Sequence, residues 1–135
     1  MKTWKQKLQN SKPHQIKTLH KSMIGMKEGQ KMLIASPAII DEYIRHIPDG
    51  TSVDTREMRI AIAKQLGAEV TCPLTTGIFL RIVAEAAYEA YENGEKIDTI
   101  TPVWRVIDRK SSTLKKLSFD HEFLSNQRKR EGLPS

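Results

Sequence analysis

The chain has 135 residues, of which 39% are hydrophobic and 28% charged, and its formal net charge at pH 7 is +6. This composition predicts a folded domain with a real core, and no apolar run approaches the roughly 20 residues that span a bilayer. The amino terminus lacks the apolar segment of a signal peptide, so we expect a cytoplasmic protein with no membrane partner. The single cysteine, Cys72, excludes an intrachain disulfide and a cysteine-cluster metal site. With the histidines scattered, we expect no metal and no other cofactor.

The cations are concentrated at the two ends of the chain. Residues 1–32 carry eight lysines against one carboxylate, and residues 105–130 carry eight lysines and arginines against three carboxylates. The segment between them is acidic. This distribution indicates a polyanionic partner met by particular surfaces, although lysine-rich ends that only keep the protein in solution explain it equally well.

The first 30 residues are polar and lysine-rich, and we predict a basic amino-terminal arm in which Trp4 and Leu8 are spaced for a short helix. Residues 31–135 form the predicted domain. Residues 31–36 are a candidate strand or the approach to a helix. Ser36 followed by Pro37 then predicts a helix over 37–46, because serine caps free amides and proline suits the first turn. Its inward face is predicted to carry Ile39, Ile40, Tyr43 and Ile44.

Two further helices follow a turn at 47–50. Asp54 with Glu57 forms a capping box, and Gly67 ends the helix that it begins. The buried stripe of this helix is predicted to be Met58, Ile60, Ile62, Ala63 and Leu66. A long helix is predicted over 74–92, and its inward positions are Phe79, Ile82, Val83, Ala86 and Ala90.

The remaining chain changes character. Residues 97–107 are rich in β-branched side chains and predict one or two strands, followed by a basic turn at 109–113. Ser118 or Asp120 caps a predicted last helix that carries Arg128, Lys129 and Arg130. The fold class predicted from this order is mainly α with a small β wing, a winged helix–turn–helix.

Four short segments follow one another in a characteristic order: Ile-Pro-Asp-Gly at 47–50, a glycine-closed helix at 57–67, Pro-Val-Trp-Arg-Val at 102–106 and Glu-Gly at 131–132. In this order they resemble the carboxy-terminal domain of the alkylguanine-DNA alkyltransferases, whose signature is Pro-Cys-His-Arg-Val. They also resemble the alkyltransferase-like proteins, relatives that lack the acceptor cysteine. The resemblance covers residues 34–133. The resemblance implies a winged helix–turn–helix fold. It also implies that the partner is duplex DNA, bound with little sequence specificity, and that the protein has a role in damage recognition or DNA repair.

The signature departs from the family where the chemistry lies. Val103 stands at the position of the acceptor cysteine and Trp104 at that of the activating histidine, while Glu131 matches the glutamate of the same network. A valine side chain cannot act as a nucleophile, so the resemblance implies no alkyl transfer and no enzyme activity. The tyrosine and arginine that serve base flipping fall near Thr55 and Gly77, so this function is not carried over either.

Candidate DNA contacts fall in three places. The start of the 74–92 helix can bind a phosphate through hydroxyls and free amides, although capping alone explains these residues. Arg105 can contact a phosphate or pair with Glu131, and Trp104 can stack on a base or lie in the core. Basic side chains of the turn and its flank are the best phosphate contacts. The full set is Thr75, Thr76, Gly77, Arg81, Arg105, Arg109, Lys110, Lys115 and Lys116.

Two other hypotheses remain at this point. In the first, the domain is a protein-interaction or regulatory module whose acidic helix, with Glu85, Glu89 and Glu92, binds a protein partner. In the second, Cys72 supports a thiol-dependent activity, since a helix start lowers the pKa of a thiol. An isolated cysteine is more often a packing residue.

Overall fold

The computed structural model describes residues 3–135 and is mainly helical, with a small three-stranded sheet. The order of elements is α1 (Trp4–Gln9), β1 (Gln15–Thr18), β2 (Lys31–Ile34), α2 (Pro37–Arg45), α3 (Thr55–Leu66), β3 (Val70–Thr71), α4 (Pro73–Glu92), a first 3-10 helix (Val103–Arg105), a second 3-10 helix (Ser112–Lys116) and α5 (Glu122–Arg130).

The amino-terminal residues contribute to the fold rather than forming an arm. The predicted short helix is present as α1, capped by Thr3. The rest of the predicted arm contains β1, which pairs antiparallel with β2 from Gln15 opposite Ile34 to Thr18 opposite Lys31. The strand predicted at 31–36 is confirmed as β2, which also pairs in parallel with β3. Residues 15–34 therefore form a hairpin that extends the sheet.

The predicted starts of α2 and α3 are confirmed by their caps. Ser36 accepts a hydrogen bond from the amide of Ile39 at 3.2 Å. Asp54 accepts from the amide of Glu57 at 2.7 Å, and Glu57 reaches back to the amide of Asp54. Gly67 ends α3 with φ of 78°, a left-handed conformation that suits glycine.

The core lies between α2, α3, α4, α5 and the first 3-10 helix. On α3, Met58, Ile62 and Ala63 are buried as predicted, whereas Ile60 is 60% exposed. On α4, the buried apolar positions are Leu80, Val83, Ala84 and Ala87, so the inward stripe is rotated from the one predicted. A second, smaller cluster of Leu19, Met26 and Met32 lies under the hairpin.

The strands predicted over residues 97–107 are wrong. This described segment holds an irregular approach and the first 3-10 helix, and the strands of the sheet come from the amino-terminal half instead. Ile100, Val103, Val106 and Ile107 are all buried in the main core. Their β-branched character therefore reflects burial rather than strand pairing. Pro102, which lacks an amide donor, also opposes a ladder.

The last helix forms as predicted, with a different start. α5 begins at Glu122, and Asp120 accepts a hydrogen bond from the Glu122 amide at 2.9 Å. Ser118, the other predicted cap, instead bonds to Glu85 on α4. None of the helices in residues 3–135 combines the length and the apolarity needed to cross a membrane.

Candidate nucleic-acid interface

Val103, the residue that the sequence resemblance placed opposite an acceptor cysteine, is enclosed in the fold. The first 3-10 helix turns the segment inward, so that Val103 has no exposed surface and Trp104 is 1% exposed. Trp104 is therefore a core residue, one of the two alternatives left open by the sequence. A cavity of about 190 Å³ lies beside Trp104 and Arg105, between Asp49 and Arg130, and Val103 does not line it.

A buried carboxylate holds this segment in place. Glu131, whose side chain has no exposed surface, accepts a hydrogen bond of 2.7 Å from Trp104 Nε1. Arg105 donates to the same carboxylate from Nε and from Nη2, each at 2.9 Å. The amide of Gly50 completes the set at 3.0 Å. We call these four residues the Glu131 network.

The Glu131 network keeps its carboxylate charged. Burial alone would raise the pKa of Glu131, but hydrogen bonds from Arg105, the Gly50 amide and Trp104 outweigh it and lower the pKa from 4.5 to about 2. The carboxylate is therefore ionised across the whole physiological range. Its role in these contacts is to position three separate parts of the chain.

Three of the four segments that carry the family resemblance meet at this network. Arg105 Nη1 donates to the carbonyl of Ile47 at 2.7 Å, and Glu131 joins Arg105 from the end of α5. The amide of Val53 donates to the carbonyl of Arg105 at 2.8 Å, which links the turn before α3 to the first 3-10 helix. Arg105 therefore has the structural role, because its guanidinium donates to Glu131 and Ile47 inside the fold and is not available to a phosphate.

The start of α4 carries the next three candidate residues. Thr76 is buried, and its hydroxyl donates to the carbonyl of Cys72 at 2.7 Å, so this hydroxyl is used inside the helix. Thr75 is partly exposed and makes a longer contact of 3.5 Å with the same carbonyl. A side chain added at Gly77 would meet no atom within 4 Å, so the backbone there faces open space. No side chain within residues 3–135 caps the first amides of α4.

The carboxylates of α4 are largely engaged inside the fold. Glu85 is 2% exposed and accepts hydrogen bonds from the amide of Ser118 at 2.8 Å and from its hydroxyl at 2.5 Å. Glu89 accepts from the amides of Trp4 and Lys5, each at 3.2 Å, and so holds the start of α1. The sequence suggested exposed acids here, because an acid on a helix usually faces water.

Arg81 lies on the first half of α4 and its side chain is partly exposed, although its Nε is buried without a hydrogen-bond partner among the described residues. Its Cζ lies 5.4 Å from the centre of the Trp4 ring, and its Nε lies 3.7 Å from Glu85 Oε2. The side chain is 41% exposed. Arg81 therefore pairs with Glu85, as the helical spacing suggested, and still presents a cation to solvent.

Four exposed cations lie on the segment that follows the signature. We call Arg109, Lys110, Lys115 and Lys116 the basic segment. None of them forms an ion pair with a carboxylate of the described residues. The second 3-10 helix, which carries two of them, packs against α4, and Glu85 fixes its end through Ser118. Lys115 and Lys116 are thus held beside α4, whereas Arg109 lies next to α5.

Two further residues that the sequence singled out are buried or half-buried. Arg128, one of the three cations of the last helix, is 4% exposed and donates to the carbonyls of Trp104 and Pro134, each at 2.6 Å. Burial lowers the pKa of its guanidinium. Cys72 is half-buried and packs against the small cluster under the hairpin, as a packing residue would.

Comparison with known proteins adds no relative. The chain matches no protein-family model, and neither a curated protein nor a solved structure is significantly similar to it. Within residues 3–135, no three His, Cys, Asp or Glu side chains are grouped as metal ligands. The function is therefore argued from the geometry above.

Proposed function

We propose that this chain is a non-enzymatic DNA-binding protein of the alkyltransferase-like type. It binds duplex DNA mainly through phosphates, with little sequence preference, through a helix–turn–helix in which α3 and α4 are the helix pair, with 3-10 helices in the part of the chain where a β wing was predicted. Its role is the recognition of damaged DNA or signalling to repair. The carrying observation is that the first half of α4 offers Arg81 and uncapped amides, while the basic segment carries four exposed cations on or next to a 3-10 helix that packs against the same helix.

The Glu131 network supports the non-enzymatic part of this proposal. In the family that the sequence resembles, a cysteine and a histidine occupy the positions of Val103 and Trp104. Here Trp104 donates its single N–H to Glu131, and Val103 is enclosed. The network is therefore consistent with a scaffold that is preserved without a nucleophile for alkyl transfer.

The two other hypotheses receive less support. A protein partner bound by an acidic helix needs free carboxylates, but Glu85 and Glu89 are both engaged by other parts of the chain. A reactive thiol needs an activating neighbour, whereas Cys72 packs among apolar side chains.

The test is a fluorescence anisotropy titration of a labelled duplex at two salt concentrations. Because phosphate contacts release counterions, affinity should fall steeply with salt, and Lys110→Glu should weaken binding and reduce the salt slope by about one. The matched control is Lys96→Glu, an exposed lysine beyond the far end of α4, about 30 Å from its start, which should leave binding unchanged. The proposal is rejected if the protein does not bind the duplex, or if its affinity is the same at both salt concentrations.

A duplex containing one alkylated guanine tests the repair role separately. Tighter binding to this duplex than to the plain one supports damage recognition. Equal binding removes that role and leaves a general DNA-binding protein.

A further inference from the structure

The hairpin between β1 and β2 contains a tight turn with an unusual residue at its tip. The amide of Met23 donates to the carbonyl of Met26 at 3.0 Å, and the reverse bond measures 2.7 Å. The two central residues, Ile24 and Gly25, have φ of 42° and 73°. Positive φ at both positions defines a turn that favours Asn-Gly, and a β-branched residue there is an outlier. Turn geometry therefore does not account for isoleucine.

Burial does not account for it either. Ile24 is 66% exposed, while Met26 on the other side of the turn is 6% exposed and anchors the cluster with Leu19 and Met32. The result is an apolar side chain that projects into solvent from an anchored base. We call residues 23–26 the hairpin tip.

The hairpin tip lies against the helix pair proposed to bind DNA. A cavity of about 390 Å³ is lined by Ile24 together with Arg56 and Arg59 of α3, Ile60, and Pro73 at the start of α4. The carboxylate on this surface, Glu69, accepts a hydrogen bond from the amide of Lys31 at 3.0 Å. Two guanidiniums and an apolar projection thus stand together next to the first turn of α4.

We propose that Ile24 is a wedge that enters a base step of the bound duplex, an inference that rests on the proposed function. Proteins that enter the minor groove insert apolar side chains between base pairs and partly unstack them. Arg56 and Arg59 supply the cations that the flanking phosphates require. The tip projects outward, as a wedge must, and the two guanidiniums beside it favour a polyanionic partner over an apolar one.

The experiment compares an intact duplex with one that carries a single mismatch. Inserting a wedge requires unstacking, which costs less at a mismatched step. Wild type should therefore bind the mismatched duplex more tightly, by about tenfold. It should also increase the fluorescence of a 2-aminopurine placed beside the mismatch. Ile24→Asn should bind both duplexes equally and give no fluorescence increase, while its salt slope stays that of wild type.

Ile24→Asn should not impair folding, because asparagine tolerates the left-handed conformation better than isoleucine. Ile16→Asn is the matched control, since Ile16 is an exposed isoleucine on β1 that does not line this cavity; it should retain the preference for the mismatch. Salt-dependent binding without a mismatch preference, or with one that survives Ile24→Asn, overturns the wedge and leaves the proposed function standing. Absence of binding to either duplex overturns both.

Discussion

Trp104 Nε1 donates a hydrogen bond of 2.7 Å to Glu131 Oε2 across 27 positions of the chain. The indole has one donor, and burial leaves it no water to use instead. The adjacent residue, Arg105, binds the same carboxylate. Glu131 is consequently the acceptor on which the two residues that follow the enclosed Val103 both depend.

Glu131→Gln should destabilise the protein by about 3–5 kcal/mol, because it leaves the largely buried Arg105 without its carboxylate. Urea unfolding followed by circular dichroism measures the change in the free energy of unfolding. Glu95→Gln, at an exposed position, should change it by no more than about 0.5 kcal/mol. Equal effects of the two substitutions would contradict a structural role for the Glu131 network.

The same carboxylate predicts a pH dependence. Its pKa is about 2 in the folded protein and 4.5 ordinarily, so its contribution to stability is complete above about pH 5. That contribution, roughly 3 kcal/mol, is lost as the pH falls from 4.5 through 2. The difference in unfolding free energy between wild type and Glu131→Gln should narrow over this window. A difference that stays constant down to about pH 2.5 would show that the charge is not what stabilises the fold.

A cysteine introduced at position 103 should not give the protein alkyl-transfer activity. In a Cys72→Ser background, Val103→Cys places a sulfur where the side chain has no exposed surface. We expect the introduced thiol to react with a disulfide reagent only after unfolding, and to accept no alkyl group from alkylated DNA. Thiol titration of the folded and denatured variant measures this, and rapid labelling in the folded state would mean that the pocket opens.

Glu85→Ala should loosen the segment that carries Lys115 and Lys116. The substitution leaves the Ser118 amide and hydroxyl without their acceptor, at a cost of about 1–3 kcal/mol. Amide hydrogen exchange by mass spectrometry should show faster exchange over residues 112–118 than in wild type. Glu95→Ala serves as the control, and unchanged exchange in Glu85→Ala would mean that Glu85 does not hold this segment.

The helix boundaries could be predicted from sequence because they depend on neighbouring residues. Ser36, the pair Asp54 and Glu57, and Gly67 each act within a turn of the helix that they begin or end. The sheet depends on pairing between distant parts of the chain. All four residues of β1 are exposed, so β1 has no alternation of buried and exposed side chains that would indicate a strand. Local periodicity therefore could not reveal it.

The candidate site, like the fold, could be predicted from the sequence only in part. The pairing of Arg105 with Glu131 was one of two alternatives available from the sequence, and the buried geometry selects it. Burial of Glu85 and Arg128 was missed, because charged residues are rarely enclosed and nothing in their own helices marks the distant partners. Ile24 was missed because a backbone conformation, not a residue pattern, makes it unusual.

Arg128 also bears on the order of folding. Its guanidinium requires Ser52, the carbonyl of Trp104 and the carbonyl of Pro134 together, so it joins stretches of chain separated by 76, 24 and 6 positions. During synthesis, α5 cannot be fully satisfied until residue 134 has emerged. We therefore expect α5 to dock late and to open together with the segments around Ser52 and Trp104.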